Sequence, residues 1–177
     1  EVYVVSTRAG TNWPVPGIKA YELAYAREGL VVQRLNGVLD LRGPDGKRVI
    51  RSVQAGTPWN YGNIAVTSGP SGPLVAEERA NGQGVIADMG SGHLLGVFPI
   101  GKTSPYQQTT MAFSPGGGSL VTVTEGNDRS AAGVLTELNM SPRQWVTVAC
   151  ATAGHDLTRR DWRQYISDTP PARLGCT

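Results

Sequence analysis

Gly84-Val85-Ile86-Ala87-Asp88-Met89, the turn Gly90-Ser91-Gly92 and then His93-Leu94-Leu95-Gly96-Val97-Phe98 decide how this chain is read. Two short runs rich in β-branched and aliphatic residues, parted by a glycine-rich tripeptide, carry the signature of two strands joined by a hairpin. Ahead of them, Ile64-Ala65-Val66 and Pro73-Leu74-Val75-Ala76 read as two further strands, so the stretch holds four. The same order occurs upstream. Leu23-Ala24-Tyr25, Gly29-Leu30-Val31-Val32, Gly37-Val38-Leu39-Asp40-Leu41, the turn Gly43-Pro44-Asp45-Gly46 and Arg48-Val49-Ile50 follow one another. Downstream come Met111-Ala112-Phe113-Ser114-Pro115, Ser119-Leu120-Val121-Thr122-Val123 and Gly133-Val134-Leu135-Thr136-Glu137-Leu138. Ala24 to Ala65 spans 41 residues, and Ala65 to Ala112 spans 47.

A period of about 40 to 45 residues with four strands is the arithmetic of a propeller blade. A four-stranded antiparallel sheet of this size has two apolar faces, and radial stacking against neighbours covers both. A β-sandwich whose strands happen to recur is the alternative. The expected fold is therefore all-β, with antiparallel four-stranded propeller blades, about three plus a partial one, and a short C-terminal helical tail. The expected boundaries are 1–20 for a partial blade or linker, about 21–56, 62–101 and 108–140 for the blades, and 141–177 for the tail.

Composition agrees with many tight turns in a packed chain. Gly 23 and Pro 12 are in excess for 177 residues, while a hydrophobic content of 40% supports a core. A net charge of +2 argues against nucleic acid or an anionic membrane as the partner. No run of apolar residues is long enough for a membrane-spanning helix. The first residue is Glu1, and one strand, Val2-Tyr3-Val4-Val5, is expected before Ala20. Since a closed propeller typically has at least four blades, the expectation is the end of a longer protein or half of an assembly. A cytoplasmic location is expected, with secretion as the alternative.

Cys150 and Cys176 belong to no C-x-x-C motif, which argues against a zinc ribbon. They either bridge the tail or are buried free thiols. In the tail, Ser141-Pro142-Arg143-Gln144 reads as a helix start with Ser as N-cap and Gln closing a capping box. Gly154 ends that helix, Thr158 and Asp161 open a second, and Pro170-Pro171 stops it.

Met111-Ala112-Phe113-Ser114-Pro115-Gly116-Gly117, followed by Ser119-Leu120-Val121, resembles the opening of a WD-repeat blade. Gly37–Leu41, Val85–Met89 and Val134–Leu138 resemble its third strand. The Trp-Asp dipeptide of the family is missing, so the repeat is a degenerate one. The run from Trp145 to Cys150, with Ala153-Gly154, Leu157-Thr158, Trp162, Tyr165 and Cys176, resembles the ending of large actinobacterial WD-repeat proteins. His155 and Asp161 replace the Arg and Glu usual there. The resemblance implies a propeller, and those relatives commonly carry a sensor-type nucleotide-binding module upstream.

Gly96-Val97-Phe98-Pro99-Ile100-Gly101-Lys102-Thr103 matches a phosphate-binding loop in letters only. Its interior is bulky, its proline has no N–H to offer a phosphate, and no amphipathic helix follows. Gly96, Gly101, Lys102 and Thr103 are therefore read as the end of a blade and the loop beyond it. His93 after Gly90-Ser91-Gly92 lacks the strand–turn–helix setting of a nucleophile elbow, and His155 reads as a linker histidine. No histidine or carboxylate set has metal-ligand spacing, so neither catalytic residues, a metal nor a cofactor is expected. Arg27-Glu28 and Glu77-Glu78-Arg79 are expected to be solvated charges at strand ends. Asp40, Asp88 and Glu137 are expected at one recurring blade position, in structural hydrogen bonds. Trp59, Tyr61 and Tyr106, in segments between blades, are the binding candidates, with Arg159, Arg160 and Arg163 on the tail as weaker ones.

The leading functional expectation is a non-catalytic binding or sensor module that recognises a protein or other macromolecule through blade loops. The alternatives are a propeller hydrolase or lyase with an axial site, and a structural piece that completes a propeller with another chain or the remaining blades of its own.

Overall fold

In the computed structural model the described residues are 2–6, 11–15, 19–56, 62–79, 81–100, 107–126 and 133–141, with 144, 145, 147, 148, 151, 158–160 and 163. The chain divides into two compact units, Glu1–Leu138 and Asn139–Thr177.

The first unit is built from antiparallel sheets. Strands β1 (Val2–Ser6) and β2 (Thr11–Val15) pair with each other. Strands β3 (Ala20–Ala26), β4 (Gly29–Arg34), β5 (Val38–Arg42) and β6 (Val49–Gln54) form one four-stranded sheet in sequential order. Strands β7 (Ile64–Ser68), β8 (Pro73–Glu78), β9 (Gln83–Asp88) and β10 (His93–Pro99) form a second with the same order. A third holds β11 (Thr109–Phe113), β12 (Ser119–Thr124) and β13 (Val134–Asn139). The first strands of the three sheets are neighbours, β3 against β7 and β7 against β11. Sheets that meet at their first strands and follow one another around that line are propeller blades.

Burial explains the sequence pattern. The middle strands β4, β5, β8 and β9 are buried along nearly their whole length, so they read as continuous apolar runs such as Leu30-Val31-Val32 and Val85-Ile86-Ala87. The outer strands β6 and β10 are almost wholly exposed, and β3 alternates. Cross-strand partners share a face, so Ala24, Val31, Leu41 and Arg51 lie on one side of blade one, and Leu23, Val32, Asp40 and Ser52 on the other. The first side packs on blade two: Val31, Leu39, Leu41 and Val53 meet Ile64, Val75, Val85 and Ala87 in one cluster. Burying each aliphatic side chain there contributes about 1.5–3 kcal/mol.

Both blades enter their second strand through a glycine that no other residue replaces easily. Gly29 (φ +152) and Gly72 (φ +150) lie against the start of the next hairpin, and a Cβ on Gly29 would sit 1.9 Å from the Arg42 carbonyl oxygen. These glycines give a common origin for the two blades and correct one expectation. Asp40 pairs with Val32, three residues after Gly29, whereas Asp88 pairs with Leu74, two after Gly72. A one-residue offset in a strand reverses the face, so the two aspartates are not equivalent positions.

One further expectation changes. The first twenty residues hold a hairpin rather than one strand, because Thr11-Asn12-Trp13-Pro14-Val15 pairs with Val2–Ser6. Pro14 hid it from the sequence pattern, yet an edge strand tolerates a residue without an N–H. No helix is bounded among the described residues of the tail. Gln144, Trp145, Thr147, Val148, Ala151, Arg159, Arg160 and Arg163 are helical, and the rest of the two expected helices lies outside the described residues. At its start the Trp145 N–H donates to the Ser141 carbonyl at 3.1 Å, and Asn139 Oδ1 accepts the Ser141 N–H at 2.8 Å. Among the described residues no helix is long and apolar enough to cross a membrane.

Candidate functional site

The polar chemistry of the first unit gathers where the first strands begin and the second strands end. Ile64, the first residue of β7, donates its N–H to Glu22 Oε2 of β3 at 3.0 Å. Its neighbour Asn63 accepts the Glu78 N–H at 3.0 Å and donates its own N–H to Glu78 Oε2 at 3.4 Å. The Asn63 side-chain amide donates to the Thr109 carbonyl at the start of β11. One residue pair, Asn63-Ile64, thus ties the first strands of three blades together. Beside it Gln33 Nε2 donates to Glu77 Oε1 at 2.9 Å across the interface between blades one and two.

These are not solvated strand-end charges, as Glu77-Glu78-Arg79 was expected to be. Glu77 is 0% exposed and Glu78 3% exposed, and Arg79 Nε donates to the Ala55 carbonyl at 2.8 Å. The reason is positional: β8 is an inner strand covered on both faces, so polar residues at its end are carried inside. The matching end of β4, Gln33-Arg34, is also polar, and that recurrence was the available signal in the sequence. Burial pushes the Glu22 carboxyl above its ordinary range, and the like charge of Glu78 adds to this against the Ile64 hydrogen bond. The arrangement offers a half-buried carboxyl held above its ordinary range beside the buried Glu78.

A second polar centre lies within blade one. Asp40, fully buried, accepts Arg34 Nε at 2.7 Å, Arg42 Nη2 at 3.3 Å and Ser52 Oγ at 2.7 Å. Arg42 Nη1 continues to the Gly46 carbonyl at 3.1 Å, so this network holds the β5–β6 turn. Asp88 works at a different hairpin. It accepts the Gly90 and Ser91 N–H groups at 2.9 and 3.3 Å, together with Ser71 Oγ. Burial raises the Asp88 carboxyl, but the hydrogen bonds from Ser71, Ser91 and Gly90 outweigh it and leave it below its usual range.

Most residues singled out in the sequence are not brought to these centres. Trp59, Tyr61, Tyr106, Gly101, Lys102, Thr103, Cys150 and Cys176 lie outside the described residues. Arg159, Arg160 and Arg163 are exposed. Gly96 sits in strand β10, not in a loop, with open space beside it. Two residues on, Phe98 fills the place of a side chain at Gly84, where a Cβ would lie 2.1 Å from the ring. His93 follows the hairpin turn closed by Gly92 N–H to the Asp88 carbonyl at 2.8 Å, and it is exposed. Among the described residues no group of three or more histidines, cysteines or carboxylates is placed to hold a metal.

No family model matches the chain, and no curated protein matches it. Among solved structures it is similar to Myxococcus xanthus glutaminyl cyclase, at 16% identity and a TM-score of 0.46, over 73% of this chain and 60% of that one. It is also similar to the β-propeller domain of Myceliophteria thermophila Cps50 (Swd1), at 13% identity and a TM-score of 0.47, over 71% of this chain and 41% of that one. The chain thus spans less than two thirds of the length of each. The blade architecture stands on its own strand pairing and stacking.

Proposed function

We propose that this chain is a non-catalytic recognition module that uses its blades as a rigid frame to bind a protein partner. The observation that carries this is the stripe Tyr21, Leu23 and Tyr25 on β3, exposed by 46%, 39% and 58%. Leu23 and Tyr25 share one face of the innermost strand of blade one, and Tyr21, at the register shift between Ala20 and Glu22, is exposed at the start of the same strand. Leu30 and Val32, their cross-strand neighbours on that face, are buried, so the opening is confined to the stripe. Tyrosines on a rigid strand lose little conformational freedom on binding, and exposed apolar rows of this kind mark interaction surfaces. The resemblance of Met111–Gly117 to a WD-repeat opening supports the same reading.

Photo-crosslinking from residue 23, with the adducts identified by mass spectrometry, tests it. Recognition predicts a small set of adducts lost in Tyr21→Ser/Tyr25→Ser at unchanged Tm. Adducts that survive the double substitution would reject the stripe as the binding surface.

A second reading, that the chain completes a propeller with further blades, is favoured by the position of the stripe. Counted from Gly29 and Gly72, Leu23 corresponds to Val66, and Val66 packs on the cluster that joins blades one and two. A residue type that stacks blades elsewhere is left open here. Light scattering separates the readings: a stable monomer that still yields the adducts favours recognition.

A further inference from the structure

The blades diverge away from the line where their first strands meet, and between the outer strands of blades one and two this leaves a wedge. On the blade-two wall, Leu94 and Val97 pair with Ala87 and Val85, whose face packs on blade one, yet they are 42% and 53% exposed. On the blade-one wall stands Arg51, paired with Leu41 of the same packing face. Its guanidinium rests on the β9–β10 turn, 3.0 Å from where a Cβ on Gly92 would be. Arg51 therefore spans one end of the wedge.

Among the described residues strand β10 lies at the edge of its sheet, paired with β9 alone. Edges are ordinarily protected by charge, proline or irregularity. Here Leu94-Leu95-Gly96-Val97 carries no charge, and its protection is a bulge between Leu94 and Gly96. The facing rim is basic: Lys47, Arg48 and Arg51 lie on or just before β6 and are exposed. The acid on that rim, Asp45, accepts the Lys47 N–H at 3.0 Å within its own turn. Arg34 and Arg42 pair with Asp40 on the other face of blade one.

We infer that the wedge between β6 and β10 is a docking groove for an extended acidic–aliphatic segment of a partner protein, added as a fifth strand to β10. Main-chain hydrogen bonds to the β10 edge supply the pairing, Leu94 and Val97 receive the aliphatic side chains, and Arg51 with Arg48 selects carboxylates. This surface is separate from the β3 stripe, so either can fail without the other.

The test uses the full chain and a fluorescein-labelled decapeptide of alternating glutamate and valine, read by fluorescence anisotropy. Two controls accompany it: a lysine–valine peptide, and a glutamate–valine peptide N-methylated at every residue. The expected results are saturable binding of the first peptide and at least tenfold weaker binding of both controls. Arg51→Glu should weaken the acidic peptide about tenfold and strengthen the basic one, and Val97→Ser should weaken the acidic peptide at unchanged Tm. Equal binding of the N-methylated peptide overturns strand addition. Equal binding of the two charge types, or indifference to Arg51→Glu, overturns the acidic partner. Absence of binding by the first peptide overturns the groove.

Discussion

The two interfaces between blades are built from different materials. Blades one and two meet mainly through hydrocarbon, Val31, Leu39 and Leu41 against Val75, Val85 and Ala87, with polar crossings at Gln33–Glu77, Glu22–Ile64 and Arg79–Ala55. Blades two and three meet through hydroxyls as well: Thr124 Oγ1 donates to the Ile100 carbonyl at 2.6 Å and lies 3.1 Å from Thr109 Oγ1. Met111 and Leu120 supply the apolar part beside them. The contrast teaches that the same stacking geometry accepts either filling, the Thr124 hydroxyl carried inside being satisfied by a carbonyl of the facing blade.

Cutting the hydrocarbon interface should have the largest effect. Leu39→Ala removes a fully buried side chain from the centre of the cluster and is expected to cost about 2–5 kcal/mol in urea unfolding. At the hydroxyl interface the loss should be smaller and specific. Thr124→Val strands the Ile100 carbonyl and is expected to cost about 1–3 kcal/mol. Thr122→Val, one pair away, removes a buried hydroxyl without a partner and should be neutral or stabilising. Equal costs at Thr122 and Thr124 would show that the bond to the Ile100 carbonyl contributes nothing to the second interface.

Acid should weaken blade two through its distal turn. The Asp88 carboxyl is held below its ordinary value in the folded chain, so its contribution is present above the unfolded value of about 3.9 and is lost as pH falls through the folded one. The Tm difference between wild type and Asp88→Asn should therefore be open at pH 7 and close under acid. The smallest effect is expected at Glu22, with the opposite sign. Its folded value is raised, so stability declines as pH climbs from about 4.3 through that value. Glu22→Gln keeps an acceptor for the Ile64 N–H and should raise Tm at pH 7 by roughly 1–3 °C, a gain that vanishes in acid.

Legibility followed coverage. Middle strands such as Leu30-Val31-Val32 and Val85-Ile86-Ala87 stand out in the sequence because covering both faces leaves no polar alternation. The same coverage made Glu77 and Glu78 misleading, since charge in a sequence suggests solvent while their strand lies inside. Asp40 and Asp88 looked equivalent by spacing from a turn, but a single residue of register moved them to opposite faces. The strand of Thr11–Val15 was obscured by proline, which local pattern penalises and an edge permits.

By itself the sequence determined strand content, the order of four strands in each of the first two blades and the recurring turns, because these depend on residues within a few positions of one another. Only the tertiary structure decided which carboxylates are buried, that Asn63 and Ile64 tie three first strands together, and that Tyr21, Leu23 and Tyr25 are exposed. Those outcomes depend on which face meets which neighbour, a long-range relation that strand periodicity does not carry.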